Sequence, residues 1–321
     1  MDHFGVIDLM TGYQPAAVVA SGVRLGVFDA LRSDPATPAE LAARLGLAGA
    51  PVAALLPALE RLGLAGPGPD GRFGLTEAGG WLTGDDGLAL VSLKEAFFAT
   101  VWSGLDTTLR TGAPVLRGWR ERLASDPDQC LLFLRALRVL ARLTGPDLTG
   151  LPALGAGRRV LDVGGGLGSY AVPLAAAGAD VTIAELSPVA AWARHELADP
   201  AGLLGTVTVI EDDVLMEGRV GEDFDAVLVS HVLHDLADSD AVRLLAGARS
   251  RVAPGTDLVV FELAGDAPGT IGPFFDLMMQ VEGPGRARRA PEVIDLVASA
   301  GWGRVAELPA ARPHLLVGAV A

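Results

Sequence analysis

Apolar residues follow a helical period through most of residues 1–150 and fall into short, dense runs after that. In SDPATPAELAARLGLA (33–48), Thr37 is placed to N-cap a helix, with Pro38 at its first position and Glu40 closing a T-x-x-E capping box. Leu41, Leu45 and Leu47 supply the apolar side, and Gly46 marks the end. The pattern predicts a second helix over 50–62, APVAALLPALERL. The stretch GLAGPGPDGRFGLTEAG then sets the turn PGPDG between two short strands. Helix, turn, helix and hairpin make a winged helix-turn-helix order. Residues 93–143 return to helix, and GPDLTGLPALGAG (145–157) reads as a hinge.

Residues 158–321 alternate strand with helix. The strand runs are RRVLDVG, DVTIAEL, VTVIEDDV, FDAVLVSH, DLVVFELA and HLLVGAV, and helical patterns such as SPVAAWARHELA and PEVIDLVASAGW lie between them. This alternation predicts an α/β fold, a doubly wound and mostly parallel Rossmann-like sheet, preceded by a mostly helical winged-helix domain. The expected domains are 1–150 and 151–321. Ligands in such sheets bind at the carboxyl ends of the strands, so the strand ends carry the functional question.

Composition narrows the classes. Net charge is −14, which disfavours nucleic acid, whose affinity rests on Lys and Arg at phosphates. The stretch 21–84, which holds the winged-helix pattern, has five arginines against six acids, so packing or dimerisation is the expected role. No run approaches the ~20 apolar residues of a membrane span, and the N-terminus has no basic segment or cleavage site of a signal peptide. A soluble cytoplasmic protein without membrane contact is the default expectation. The single Cys130 excludes an intrachain disulfide and a multi-cysteine zinc site.

After the first strand comes Asp162-Val-Gly164-Gly165-Gly166-Leu-Gly168, a turn that lets a ligand approach the backbone closely. Alone it says adenosine-type cofactor. Glu185 ends the second strand, where a carboxylate suits a ribose diol; that also fits NAD. Asp212, Asp213 and Val214 follow the third strand, where an acid accepts from an adenine amino group and Val214 lies against the ring. Leu186, Ser230 and His231 complete the expected cofactor set. In VLVSHVLHDLAD (227–238), His231 and His234 are three apart and Asp235 follows. A shared helix face would allow a metal site, a base with its orienting acid, or only a helix start. Phe97, Phe98, Trp102, Phe133 and Met278 are candidate apolar walls for a flat substrate.

DVGGGLG, the acid of AELSP, the Asp of EDDV, HVLHDL and VFEL together resemble the S-adenosylmethionine-dependent O-methyltransferases of plant phenolics and bacterial polyketides. The resemblance spans nearly the whole chain. It implies a homodimer built on the winged-helix domain, S-adenosylmethionine as cofactor, and methylation of a hydroxyl on an aromatic or polyketide-like natural product. It places the catalytic base on His234, followed by Asp235, and an orienting glutamate on Glu262. Leu236 replaces the family's usual tryptophan, and Ala287 stands where many members carry a second glutamate. The expected metal is none. Relatives that keep the cofactor but perform C- or N-methylation, hydroxylation, decarboxylation or cyclisation supply the alternative.

Overall fold

A computed structural model describes residues 2–84, 87–198, 201–213, 215 and 223–321. The chain forms two compact units, Met1–Thr100 with Arg135–Leu140, and Val101–Leu134 with Ala141–Ala321.

The first unit opens with α1 (His3–Thr11), α2 (Tyr13–Arg24), α3 (Val27–Ser33), α4 (Pro38–Leu45) and α5 (Gly49–Arg61). The hairpin β1 (Ala65–Pro67) and β2 (Phe73–Leu75) follows, then α6 (Glu77–Gly80) and α7 (Leu88–Trp102). The capping box is formed: Glu40 N–H donates to Thr37 Oγ1, and Thr37 N–H donates to Glu40 Oε2. Val27, Phe28, Leu31, Leu41, Leu56 and Leu59 make the core under the hairpin. α1 contributes nothing to it. Phe4, Leu9 and Met10 on that helix are 65%, 69% and 64% exposed.

The chain continues through α8 (Leu105–Thr111), α9 (Trp119–Ser125) and α10 (Pro127–Thr144). The second unit is then built on β3 (Arg159–Val163), α11 (Ala171–Ala176), β4 (Asp180–Glu185), α12 (Ser187–Glu196), β5 (Thr206–Glu211) and β6 (Ala226–Ser230). It ends with α13 (Asp238–Ser250), β7 (Asp257–Leu263), α14 (Ile271–Glu282), α15 (Ala290–Ser299), β8 (Gly303–Leu308) and β9 (His314–Val320). The sheet order is β5-β4-β3-β6-β7-β9-β8. The first five strands are mutually parallel, while β9 runs antiparallel to both neighbours. Strand order reverses between β3 and β6, which opens a crevice at their carboxyl ends. Every residue of β6 is buried, as befits a strand covered on both faces. Among the described residues, no single helix is long and apolar enough to cross a membrane.

Two local expectations change. β8 is an additional strand that the apolar pattern did not predict; most of its residues are exposed at the sheet edge, so it has no apolar run. His231 and His234 do not share a helix face. His231 leaves β6 in the left-handed region (φ 55°), and a 3-10 turn, Leu233–Asp235, carries His234.

Candidate active site

Asp162, inside β3, is fully buried, and neither carboxylate oxygen has a hydrogen-bond partner. Burial, with the nearby Glu185 charge, pushes its carboxyl up to about 7. Gly164, Gly166 and Gly168 all have positive φ (69°, 57° and 81°), and a Cβ at Gly165 would overlap the Asp162 carboxylate. Only glycine permits this turn to wrap the acid.

Glu185, at the end of β4, accepts from the Gly166 N–H (2.9 Å) and the Leu186 N–H (3.0 Å). Burial pushes its carboxyl up, against those two donors. The two adjacent aspartates after β5 differ sharply. Asp213 accepts from Arg120 Nη2 (2.6 Å) and the Leu215 N–H (3.2 Å), so its Oδ1 is engaged. Asp212 faces Arg251 at 3.4 Å, and its Oδ2 is buried with no partner. Val214 lies outside the described residues.

β6 ends in the buried Ser230. The His231 N–H donates to the Phe261 carbonyl (2.8 Å), and its ring packs edge-on against Phe261 at 4.5 Å and lies over Tyr170 at 6.4 Å. Burial is the main cause holding the His231 imidazole down, at about 4, so it is neutral.

His234 Nδ1 and Glu262 Oε2 are 2.5 Å apart. The other oxygen, Oε1, accepts from the Val232 N–H (3.1 Å) and the Leu233 N–H (2.7 Å). Glu262 thus holds both the ring and the backbone that leads into it. Asp235 Oδ1 lies 3.6 Å from His234 Nε2, on an exposed side chain. Phe275 of α14 meets the His234 ring edge-on at 5.0 Å. Burial lowers the affinity of His234 for its proton, but the charges of Glu262, Asp235 and Glu282 outweigh it and raise the imidazole to about 9. Burial raises Glu262, and the charge and hydrogen bond of His234 bring it net below the usual range.

His231, His234 and Glu262 offer ligand atoms within 4.8 Å of one another. Within this group Glu262 Oε2 pairs with His234 Nδ1, Glu262 Oε1 accepts from the Val232 and Leu233 N–H groups, and the His231 ring meets the His234 ring edge-on at 5.7 Å.

The apolar candidates lie in both units. Phe97 and Phe98 lie on α7 in the first unit, edge-on to each other at 5.4 Å, with Phe98 buried. In the second unit, Trp102 is 6.3 Å from Phe274, and Phe133 is 5.9 Å from Trp119. Met278 is half-buried on α14, one turn after Phe274 and Phe275. Sequence reasoning missed Phe275; the signal was an aromatic residue one helical turn before Met278.

Residues 112–303 match a family model described as an O-methyltransferase domain, and residues 7–85 match the O-methyltransferase dimerisation domain. The chain belongs to the O-methyltransferase family. This methyltransferase is 28% identical to a 3-hydroxy-5-methyl-1-naphthoate 3-O-methyltransferase of Streptomyces sahachiroi, across 95% of this chain and 91% of that one. It is 40% identical to an aclacinomycin 10-hydroxylase of Streptomyces purpurascens, across 64% of this chain and 57% of that one. An O-methyltransferase from neocarzinostatin biosynthesis, solved with S-adenosylmethionine and 2-hydroxy-5-methyl naphthoic acid, superposes with a TM-score of 0.76 at 25% identity, covering 95% of each chain. The methyltransferase uses S-adenosylmethionine. Its strand ends fit that cofactor. The cofactor's amine, ribose hydroxyls and adenine amino group are all donors, and the crevice presents buried acceptors without partners on Asp162 and Asp212.

Proposed function

We propose that this enzyme methylates a hydroxyl of an aromatic or polyketide-like small molecule in natural-product biosynthesis, with His234 as the general base. The His234–Glu262 pair at the strand ends, beside the glycine turn, is the observation that carries the reading. When bound, S-adenosylmethionine supplies an electrophilic methyl on a positively charged sulfur. The protein's own task is to orient an acceptor oxygen and remove its proton. Glu262 engages Nδ1, which leaves Nε2 as the nitrogen that accepts the proton. A base so placed contributes roughly 10²–10⁴-fold. Asp162, Gly164, Gly166, Gly168, Glu185, Leu186, Asp212, Asp213, Ser230 and His231 hold the cofactor in this reading. Of the two aspartates, Asp212 keeps the unengaged oxygen for the adenine side. Trp102, Phe133, Phe275 and Met278 form an apolar wall for the acceptor. Residues 151–321 then carry cofactor and base, and residues 1–150 carry assembly and part of the substrate wall.

The test is mass spectrometry of products from a panel of hydroxylated aromatics incubated with S-adenosylmethionine. The expected product is one methyl heavier. A second reading, hydroxylation with the cofactor fold retained, draws on the 40% identity to the aclacinomycin 10-hydroxylase and on Ala287 in place of the second glutamate. With molecular oxygen and an external two-electron reductant also supplied, a product one oxygen heavier (the second oxygen atom leaving as water) and with no methyl gained would select it and reject the first.

A further inference from the structure

His234 and Glu262 sit on different elements, the 3-10 turn after β6 and the strand β7. Their hydrogen bond is therefore only as exact as the register between turn and strand. Residues 283–289 bridge the two, and Arg288 grips both. Its side chain is 3% exposed. Nη1 donates to the Leu233 carbonyl (2.5 Å) and Nη2 to the Leu236 carbonyl (2.7 Å), on either side of His234 and Asp235. Nε and Nη2 also donate to Asp238 Oδ1, at 3.0 and 2.7 Å. On the main chain, the Arg288 carbonyl accepts from the Gly265 N–H (2.9 Å), and Arg288 forms a parallel bridge with Ala264, just past Glu262.

We propose that Arg288 is a positioning residue for methyl transfer: its guanidinium fixes the carbonyls that bracket His234, while its backbone fixes the strand end that carries Glu262. This deepens the reading above and rests on His234 being the base. The guanidinium suits the task because its planar fork serves several acceptors at once, which a lysine ammonium cannot reproduce in the same plane. The groups that face His234 are Glu262 from β7, Asp235 from its own turn, His231 from the end of β6 and Glu282 from α14. Glu262 is the one of these that Arg288 locks in register with the turn. Loosening the turn weakens that coupling, so the imidazole falls back toward its ordinary value.

A buried arginine also contributes to stability, and its removal leaves two carbonyls without donors. The test must separate positioning from stability. Full-length Arg288→Lys and Asp238→Asn are compared with the parent by three measurements: the His234 Cε1 proton titration by NMR in the free protein, calorimetric affinity for S-adenosylhomocysteine, and kcat against pH. For Arg288→Lys, the His234 midpoint should fall from about 9 toward 6.5, with product affinity kept. The alkaline plateau of its kcat, where the ring is neutral in both proteins, should drop by on the order of 10²-fold, as for a misplaced reacting group. Asp238→Asn keeps the carbonyl bonds and should show the same changes to a smaller degree. An unmoved His234 midpoint in Arg288→Lys overturns the proposal, whether kcat stays high or falls together with product affinity and melting temperature. If Arg288→Lys does not fold, Asp238→Asn decides by the same midpoint. Full turnover in His234→Ala overturns the base assignment instead. Loss in His234→Ala with an unmoved midpoint in Arg288→Lys overturns the positioning role alone.

Discussion

At the scale of single residues, the site is governed by where unpaired charge is buried. A base works only with its proton off, and at His234 the surrounding carboxylates hold that proton on to about 9. A histidine raised above its ordinary value stabilises the fold fully below about 6.5, and that contribution is lost as pH rises through about 9. Activity runs the opposite way, because it needs the neutral ring. In the free enzyme, kcat/KM should therefore climb through neutral pH into the alkaline range. Glu262→Gln removes the main charge that raises His234, so the acid limb should move to lower pH while the plateau falls. His234→Ala should lose roughly 10²-fold or more in turnover, with the fold retained. His231→Ala should cost little turnover and mainly weaken cofactor binding. A pH–rate series on the three variants checks both the order and the direction; an acid limb unmoved in Glu262→Gln would contradict the charge argument. The family resemblance named His234 and Glu262, and the structure brings their side chains together. The difference between Asp212 and Asp213 was not legible in the sequence. Neighbouring residues on extended chain point to opposite sides, and only the position of Arg120 and Arg251 shows which oxygen is left free.

At the scale of elements, the inner parallel strands β3, β4, β6 and β7 were readable because burial makes each a dense apolar run, while β5, at the other edge of the sheet, has no buried residue. β8 was hidden for the converse reason, as an edge strand with most residues exposed. The turn that carries His234 was hidden because three residues of 3-10 helix leave no periodic signature; HVLHDL looks like a helix start until the backbone is seen. Arg288 was hidden because the partners that tie it to the turn are the Leu233 and Leu236 main-chain carbonyls, which any residue supplies. The loop that carries it packs to main-chain contact with the turn: a Cβ at Gly285 would overlap the His234 carbonyl oxygen. Either the loop or the turn must shift to admit it, and such a shift misplaces the ring. Gly285→Ala should thus lower kcat by on the order of 10²-fold, with affinity for S-adenosylhomocysteine preserved. Steady-state kinetics beside calorimetry measure this, and parental turnover would mean that the turn yields without moving the ring.

At the scale of the whole molecule, α1 is the feature that a single chain leaves unexplained. Among its nine residues, HFGVIDLMT, none is buried, although Phe4, Val6, Ile7, Leu9 and Met10 are apolar and exposed. A helix with this composition is stable in water only if something covers it. Each such side chain gains ~1.5–3 kcal/mol when fully buried, so five together outweigh much of the entropy lost on association. The net charge of −14 opposes indiscriminate contact between copies, which leaves a specific, self-complementary apolar surface as the way to pair. The segment lies at the start of the stretch that matches the dimerisation domain, residues 7–85. A homodimer that buries α1 is the expected assembly, with a mass in light scattering at micromolar concentration of twice the 33.0 kDa chain. Leu9→Asp combined with Met10→Asp puts two charges into that surface while touching no core residue, so the chain should fold and scatter as a monomer. A monomeric parent would refute the assembly, and a dimeric double variant would move the interface away from α1.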